Sequence, residues 1–160
     1  MKITELLTKE TVLLSIEGNG KHTVINELID LLDRAGKLSD REQFRAAIIK
    51  REQQSSTGIS NGIAIPHAND SSVKKPAIAF GKSNAGVDYG ALDGKPSQLF
   101  FMIAVPEGAN QIHLETLSRL AIILMKEEAR QKLITASTVD EILNTIDYYD
   151  DGEKKRSPDY

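Results

Sequence analysis

Residues 51–67 of the chain read REQQSSTGISNGIAIPH. The apolar segment at the end of this run, residues 62–65, predicts a short buried strand. Pro66 fixes its own φ and favours extended backbone at Ile65, so His67 is predicted to stand on a stiff segment where that strand ends. This one run therefore puts a histidine at the edge of a predicted sheet.

The loop before the strand carries Thr57, Gly58 and Gly62 together with further hydroxyl and backbone N–H groups. Loops of this kind can bend into concavities that bind anions. Arg51 opens the run, and its guanidinium matches phosphate oxygens in a bidentate way, although basic residues are also common in a last helical turn. The surroundings of His67 are compatible with a phosphate group, and an ordinary structural histidine stays open at this point.

Elsewhere in the chain, apolar runs alternate with helical periodicities. The segment 99–105 (LFFMIAV) is apolar on both faces, as expected of a central strand. The predicted strands are 11–16, 62–65, 76–80 and 99–105, and the predicted helices are 23–34, about 40–52, a segment after Pro106 and a segment after Thr138. Strands separated by helices predict an α/β fold with a single mixed β-sheet flanked by helices on both faces.

Capping residues and apolar spacing refine the helix predictions. Ser39 with Glu42 forms a predicted capping box for the second helix, and Thr138 with Glu141 forms one for the last helix. In the helix after Pro106, the spacing assigns one inner face to Leu114, Leu117, Ala121 and Leu124.

The composition narrows the class of protein. The 160 residues include 40% apolar and 27% charged residues with a formal net charge of -3, which is typical of one globular domain. Because the charges are well mixed, no nucleic-acid partner is expected. There is no cysteine for a disulfide framework or a thiolate metal site. No apolar run approaches the roughly 20 residues that span a bilayer, and no signal-peptide pattern is seen, so a cytoplasmic protein is expected.

Residues 1–147 are predicted to form one domain, and residues 148–160 (YYDDGEKKRSPDY) differ from it. They are polar and have no periodicity. This predicts a disordered tail or the start of an interdomain linker. A frayed terminus is equally compatible, so the pattern leaves open whether the chain is free-standing or a domain of a larger protein.

Only three histidines are present, at positions 22, 67 and 113. His22 has polar neighbours and is predicted to be an ordinary surface or capping residue. His113 begins a predicted helix, where the helix dipole favours negative charge and lowers an imidazole pKa. A neutral histidine there could stabilise a nearby phosphoryl group, or it could simply pack locally, and spacing alone does not bring residues 67 and 113 together. Nucleotide-binding glycine motifs and zinc motifs are absent, and no metal is expected.

The run 51–67 strongly resembles the phosphorylation-site signature of the fructose/mannitol-type (type 2) enzyme IIA family of the bacterial phosphoenolpyruvate-dependent sugar phosphotransferase system. That signature reads RE, a short gap, [ST]TG, a short gap, and GIAIPH. The run 113–121 (HLETLSRLA) resembles the family's second histidine at its helix start, and 99–108, ending in VPEG, resembles the strand and turn before it. The resemblance extends over residues 1–147.

The resemblance implies a role for each candidate residue. His67 would be the phosphorylated residue, His113 would stabilise the phosphoryl group beside it, and Arg51 would approach the phosphoryl oxygens or the partner's surface. The phosphoryl pocket would be shaped by Thr57, Gly58 and Gly62. The donor would be the phosphocarrier protein HPr and the acceptor a cysteine of a IIB domain, with a membrane IIC domain involved indirectly. No cofactor is implied.

Three functions remain open on the sequence. The first is a phosphoryl carrier for sugar uptake, with fructose favoured by the segment 113–121. The second is a nitrogen-type regulatory IIA protein, whose phosphohistidine switches partner binding without sugar transport. The third is a phosphate-binding module without turnover. The sequence does not identify the sugar or the oligomeric state.

Overall fold

The structure, a computed structural model, describes residues 1–150, which contain five strands and five α-helices after two short 3-10 turns at Ile3–Glu5 and Lys9–Thr11. The strands are β1 (Val12–Leu13), β2 (Ile63–Ala64), β3 (His67–Asp70), β4 (Ala77–Val87) and β5 (Ser97–Pro106). The helices are α1 (Lys21–Arg34), α2 (Arg41–Gln54), α3 (Asn110–Leu124), α4 (Glu127–Thr135) and α5 (Val139–Asp150).

Strand β5 is the centre of the sheet. It pairs antiparallel with β4, with Phe101 opposite Phe80. On its other side it pairs in parallel first with β2 and then with β3, where His67 lies opposite Ile103. Strand β1 extends the sheet by pairing in parallel with β4. The sheet is therefore mixed, and two short strands share one edge of β5.

Alternating side chains of β5 enter two separate cores. Phe100 and Met102 pack with the apolar residues of α1 and α2 on one face. Phe101 and Ile103 pack on the other face with residues of α3, α4, α5 and the first 3-10 turn. Burial on both faces explains the uninterrupted apolar run of this strand. The predicted α/β fold, a single mixed sheet flanked by helices on both faces, is confirmed.

Local elements differ from the prediction in places. Strands β2 and β3 are two segments separated by Pro66, and only the first was expected. Helix α4 was not predicted, and the strand expected at 11–16 is reduced to β1. The predicted cap of α2 is wrong, because Asp40 accepts the Gln43 N–H at 3.1 Å, whereas the Ser39 hydroxyl donates to the carbonyl of Ser72 at 3.2 Å. The Ser39 hydroxyl, which the sequence predicted as the cap, makes a tertiary contact instead.

The predicted inner face of helix α3 is confirmed only in part, since Leu124 is buried and Leu117 is partly buried against the core, whereas Ala121 is exposed. The buried residues of α3 are Thr116, Leu120, Ile123 and Leu124. Leu114, expected inside, is 68% exposed. The helix carries apolar residues on two arcs, so spacing alone does not choose the arc that meets the sheet.

The C-terminal helix extends beyond the predicted domain boundary at residue 147. Helix α5 runs to Asp150, whose carboxylate accepts the Ile3 N–H at 3.0 Å and pairs with Arg119 at 2.7 Å. Its predicted cap is confirmed, since the Thr138 hydroxyl accepts the Glu141 N–H at 3.1 Å. Residues 151–160 lie outside the described part of the chain, so the tail or linker stays a prediction. Within residues 1–150, no helix combines the length and apolarity needed to cross a membrane.

Lys82 on β4 holds the end of α4 against the sheet. Its side chain is only 4% exposed. The ammonium donates to the carbonyls of Leu133 at 3.2 Å and Ile134 at 2.7 Å, and also to that of Ala136. The last carbonyls of a helix lack intrahelical partners and carry partial negative charge, so a buried cation satisfies both needs.

We expect Lys82→Met to lower the free energy of unfolding by about 1 to 3 kcal/mol, because it leaves buried carbonyls without a donor. Urea unfolding followed by circular dichroism measures this change. Lys95→Met is the matched control, since Lys95 is exposed. Equal unfolding midpoints for the two variants would show that the contact contributes nothing net.

Candidate functional site

His67 and His113 meet at one end of the sheet. Their ring centroids are 5.2 Å apart with an interplanar angle of 80°, an edge-to-face arrangement. His67 is the first residue of β3, and His113 lies in the first turn of α3. Both side chains are half-buried. The fold therefore brings together two histidines that the sequence left unconnected.

Backbone pairing and one side-chain contact fix the two histidines relative to each other. The Ile103 N–H donates to the carbonyl of Pro66 at 2.9 Å, which anchors β3 on β5 directly before His67. The amide of Asn69 donates to the Asn110 side chain at 2.9 Å and so ties β3 to the start of α3. The pair thus rests on strand and helix termini, which position side chains more rigidly than loops do.

One ring nitrogen of His67 is held by the backbone. Nδ1 lies 2.7 Å from the carbonyl oxygen of Ile65, two residues earlier. Because a carbonyl only accepts, this hydrogen bond requires the proton to be on Nδ1. In the neutral ring, Nε2 then carries the free lone pair. The stiff Ile65–Pro66–His67 segment thus selects a tautomer as well as a position.

A cavity of about 360 Å³ opens in front of the two rings. Its lining residues are Ala47, Lys50, Arg51, Gln54, His67, Ala68, Asn69, Asp70 and His113. Arg51 lines this cavity, and its guanidinium donates to the carbonyl of Ser55 at 2.8 Å. The three residues predicted to do the chemistry, His67, His113 and Arg51, therefore share one cavity. We call it the histidine cavity.

Apart from Arg51, the α2 side of this cavity was missed in the sequence, although a signal was present. Ala47, Lys50, Arg51 and Gln54 have the spacing i, i+3, i+4 and i+7, which is one face of a helix. This face carries two basic residues beside the buried Phe44 and Ile48, a pattern compatible with a helix side that contacts an anion. The β3 contribution had no comparable signal, because β3 itself was not predicted.

Both imidazoles are biased towards the neutral form. Burial lowers the pKa of His67 below its ordinary value of 6.5, and the charge of Arg51 lowers it further, while the hydrogen bond to Ile65 and the charge of Glu52 act in the opposite direction. Burial also lowers the pKa of His113, with a further contribution from the proximity of His67. At neutral pH the cavity therefore presents nucleophilic, uncharged rings.

The three remaining pocket predictions are located elsewhere. Thr57 is buried, and its hydroxyl contacts the carboxylate of Glu52 and the hydroxyl of Tyr89. Gly58 packs so tightly that an added Cβ would lie 2.9 Å from both Ala91 Cα and Tyr89 Cδ2. Gly62 has a φ of +73° and lines a separate cavity beside Gln98. These residues shape the loop behind His67, and none of them lines the histidine cavity.

The other candidates add little to this site. His22 is exposed on α1 and is not among the residues that line the cavity. In the part of the chain that the structure describes, no group of three or more His, Cys, Asp or Glu side chains is arranged to hold a metal ion.

Comparison with known proteins assigns the chain to a family. Residues 5–149 match the model of the phosphoenolpyruvate-dependent sugar phosphotransferase system EIIA 2 family. The chain belongs to this family. It is 57% identical over 150 residues to the fructose-specific EIIABC component of Bacillus subtilis (strain 168), a match that covers 94% of this chain but only 24% of that protein. The chain therefore spans about a quarter of the length of this relative.

Other relatives and solved structures are similar to this chain along most of their length. The fructose-specific EIIA component of Haloferax volcanii is 41% identical, over 79% of this chain and 84% of that protein. The crystal structure of the nitrogen regulatory protein IIA-Ntr of Neisseria meningitidis is 34% identical with a TM-score of 0.83, covering 90% of this chain and 98% of that one. IIA mannitol of Escherichia coli shares the fold, with a TM-score of 0.76 at 23% identity, covering 87% and 97% of the two chains.

We expect Arg51→Gln to raise the pKa of His67, because the substitution removes a positive charge that disfavours the imidazolium. In the wild-type protein, His67 should take up its proton only below its ordinary pKa of 6.5. A pH titration of the ring signals by NMR measures both values. Arg34→Gln, which removes the same charge from an exposed position at the end of α1, should leave the titration unchanged. A fall in the pKa of the Arg51 variant would contradict this electrostatic picture.

Proposed function

We propose that this chain is the phosphoryl carrier of a sugar phosphotransferase system, accepting a phosphoryl group from phospho-HPr on His67 and passing it to a cysteine of a IIB domain. The single observation that supports this most directly is the histidine pair at the mouth of a cavity with an arginine. Family membership gives the same class of function. The chemistry is a transfer between proteins, and the accepting group is the Nε2 lone pair of a neutral His67.

The geometry suits a reversible carrier. In the first step the donor's P–N bond breaks as the bond between phosphorus and His67 Nε2 forms, and in the second step this bond breaks as the phosphoryl group moves to sulfur. Such transfers depend mainly on positioning and on stabilisation of charge at the phosphoryl oxygens. The guanidinium of Arg51 and the ring of His113 can supply that stabilisation. A carrier must also release its group, and a few hydrogen-bond donors hold a phosphoryl group less firmly than a metal clamp.

His113 has an unsatisfied polar atom at the right place for this role. Its Nε2 is buried and has no hydrogen-bond partner among residues 1–150. Buried polar atoms without partners are rare in folded proteins. A phosphoryl oxygen on the neighbouring His67 would provide the missing partner if His113 carries its proton on Nε2.

The uptake of fructose is the more specific part of the proposal. It is supported by the 57% identity to the fructose-specific EIIABC component of Bacillus subtilis and the 41% identity to the fructose-specific EIIA component of Haloferax volcanii. A regulatory role is the second candidate. It is favoured by 33% identity, over 91% of this chain and 95% of the relative, to the nitrogen regulatory protein of Pseudomonas aeruginosa. Phosphoryl transfer from the labelled chain to purified IIB domains distinguishes these candidates. Transfer to a fructose-type IIB domain in preference to a mannitol-type one supports fructose uptake, and transfer to neither supports the regulatory role.

His67→Ala should abolish labelling by phospho-HPr, because it removes the proposed nucleophile. Labelling is measured with radioactive phosphoenolpyruvate, enzyme I and HPr, and the acid lability of the label identifies phosphohistidine. His22→Ala is the control, since it removes an exposed histidine outside the cavity. Undiminished acid-labile label on the His67 variant would overturn the assignment.

His113→Ala should still become labelled but should pass its phosphoryl group to a IIB domain about 100 to 1,000 times more slowly. The expected loss corresponds to one directed donor at a developing charge, about 2.7 to 4 kcal/mol. Rapid-quench measurements of the two transfer steps separate acceptance from release. His113→Gln retains an N–H donor and should recover part of the rate. Wild-type rates in both steps for the alanine variant would make His113 a packing residue.

A further inference from the structure

A buried carboxylate lies behind the histidine cavity, on the helix that carries Arg51. Glu52 is only 8% exposed. Its carboxylate accepts the Thr57 N–H at 3.1 Å, the Thr57 hydroxyl and the Tyr89 hydroxyl at 2.8 Å, and it lies 3.1 Å from Lys21 Nζ. We call Glu52, Thr57, Tyr89 and Lys21 the Glu52 cluster. Burying a charge is costly unless it is paired and hydrogen-bonded, and this carboxylate is both.

The cluster joins four separate parts of the fold. Lys21 begins α1, Glu52 lies in the last turn of α2, Thr57 belongs to the loop before β2, and Tyr89 follows β4. The Tyr89 ring is buried against Phe100 with centroids 5.8 Å apart, and Lys21 Nζ lies 4.8 Å from the Tyr89 ring centroid. The carboxylate is therefore held from several sides and cannot shift without moving the loop.

Two backbone hydrogen bonds connect this cluster to the imidazole of His67. The Thr57 carbonyl accepts the Ile65 N–H at 3.0 Å. The Ile65 carbonyl in turn accepts the hydrogen bond from His67 Nδ1 at 2.7 Å. A continuous path of contacts thus runs from Glu52 through Thr57 and Ile65 to the ring that faces the cavity. The same carboxylate also anchors the helical turn of its neighbour Arg51.

The charge of Glu52 also acts on the ring directly. It favours the imidazolium form of His67, whereas the charge of Arg51 disfavours it. Three donors and a lysine lower the pKa of Glu52 against the effect of its burial, so the carboxylate is ionised at neutral pH. A phosphorylated imidazole carries more positive charge on its ring than a free one, and a buried negative charge stabilises it.

We propose that Glu52 is a positioning residue for His67: through Thr57 and the Ile65 carbonyl it holds the Nδ1 proton and the ring orientation, and its charge stabilises the phosphorylated ring. This inference rests on the proposed carrier function. It explains why an ionised carboxylate is buried behind the cavity and yet does not line it. It also accounts for the burial of Thr57, which the sequence had assigned to the pocket itself.

Glu52→Gln tests the proposal, because it keeps the size of the side chain and removes its charge. Three changes are expected: at least tenfold slower labelling of His67 by phospho-HPr, a lower pKa of His67, and a mixture of ring tautomers in nitrogen-15 NMR spectra. Glu52→Asp retains the charge, so the pKa of His67 should stay closer to its wild-type value. Glu42→Gln removes the same charge from an exposed position on α2 and should change none of the three.

The tautomer and pKa are read on the unphosphorylated protein, so they test the role of Glu52 even if His67 proves not to be a carrier. Absence of label on the wild-type chain refutes the carrier function alone. A wild-type tautomer, pKa and labelling rate in folded Glu52→Gln would overturn the positioning role. If that variant does not fold, Lys21→Met with Glu52→Gln removes the ion pair as a unit, and the same three changes are expected. Failure of both variants to fold would assign the cluster to the core alone and overturn the proposal.

Discussion

Burial of β5 on both faces is the constraint on which the rest of the structure depends. A strand with apolar side chains on both sides needs a helical layer over each face, and α1 with α2 and α3 to α5 provide these layers. Its backbone needs partners on both edges as well. Strand β4 satisfies one edge, and β2 and β3 share the other. His67 of the candidate functional site lies directly after the gap between those two short strands.

Pro66 stands in that gap and has no N–H to offer the ladder. Its carbonyl still accepts from Ile103, so the chain remains attached to β5 and pairing resumes in the same register at His67. The ring of His67 is hydrogen-bonded to the carbonyl of Ile65, and helix α3 places His113 against it. The imidazole of His67 is therefore held in a fixed position, because the residues before and after the gap in pairing both pair with the central strand β5.

The charges around His67 act on its pKa in opposite directions. Arg51 and Glu52 are neighbours on α2, yet the arginine lines the histidine cavity and the glutamate is buried behind it. The charge of Arg51 favours the neutral imidazole of His67, and the charge of Glu52 favours the imidazolium. For the proposed carrier this opposition is useful, because a phosphoryl group that is bound too firmly cannot be passed on. Free energies of acceptance and release must stay close for a group to move in both directions.

The sequence by itself determined the local features of this protein. The strand β5, the extents of α1 and α2 to within a few residues, the cap at Thr138 and the stiff segment before His67 all follow from short-range patterns, as does the α/β class. The family signature in residues 51–67 also lies within one contiguous run.

Only the tertiary structure decided that His67 and His113 meet, and that α3 turns Leu120 rather than Leu114 to the sheet. It also decided that Asp40 rather than Ser39 caps α2. Thr57 likewise points away from the cavity to Glu52. Each of these depends on contacts between residues far apart in the chain. A local pattern states which residues can cap, pack or bind, whereas the choice among them is made by the partner that the fold brings into contact.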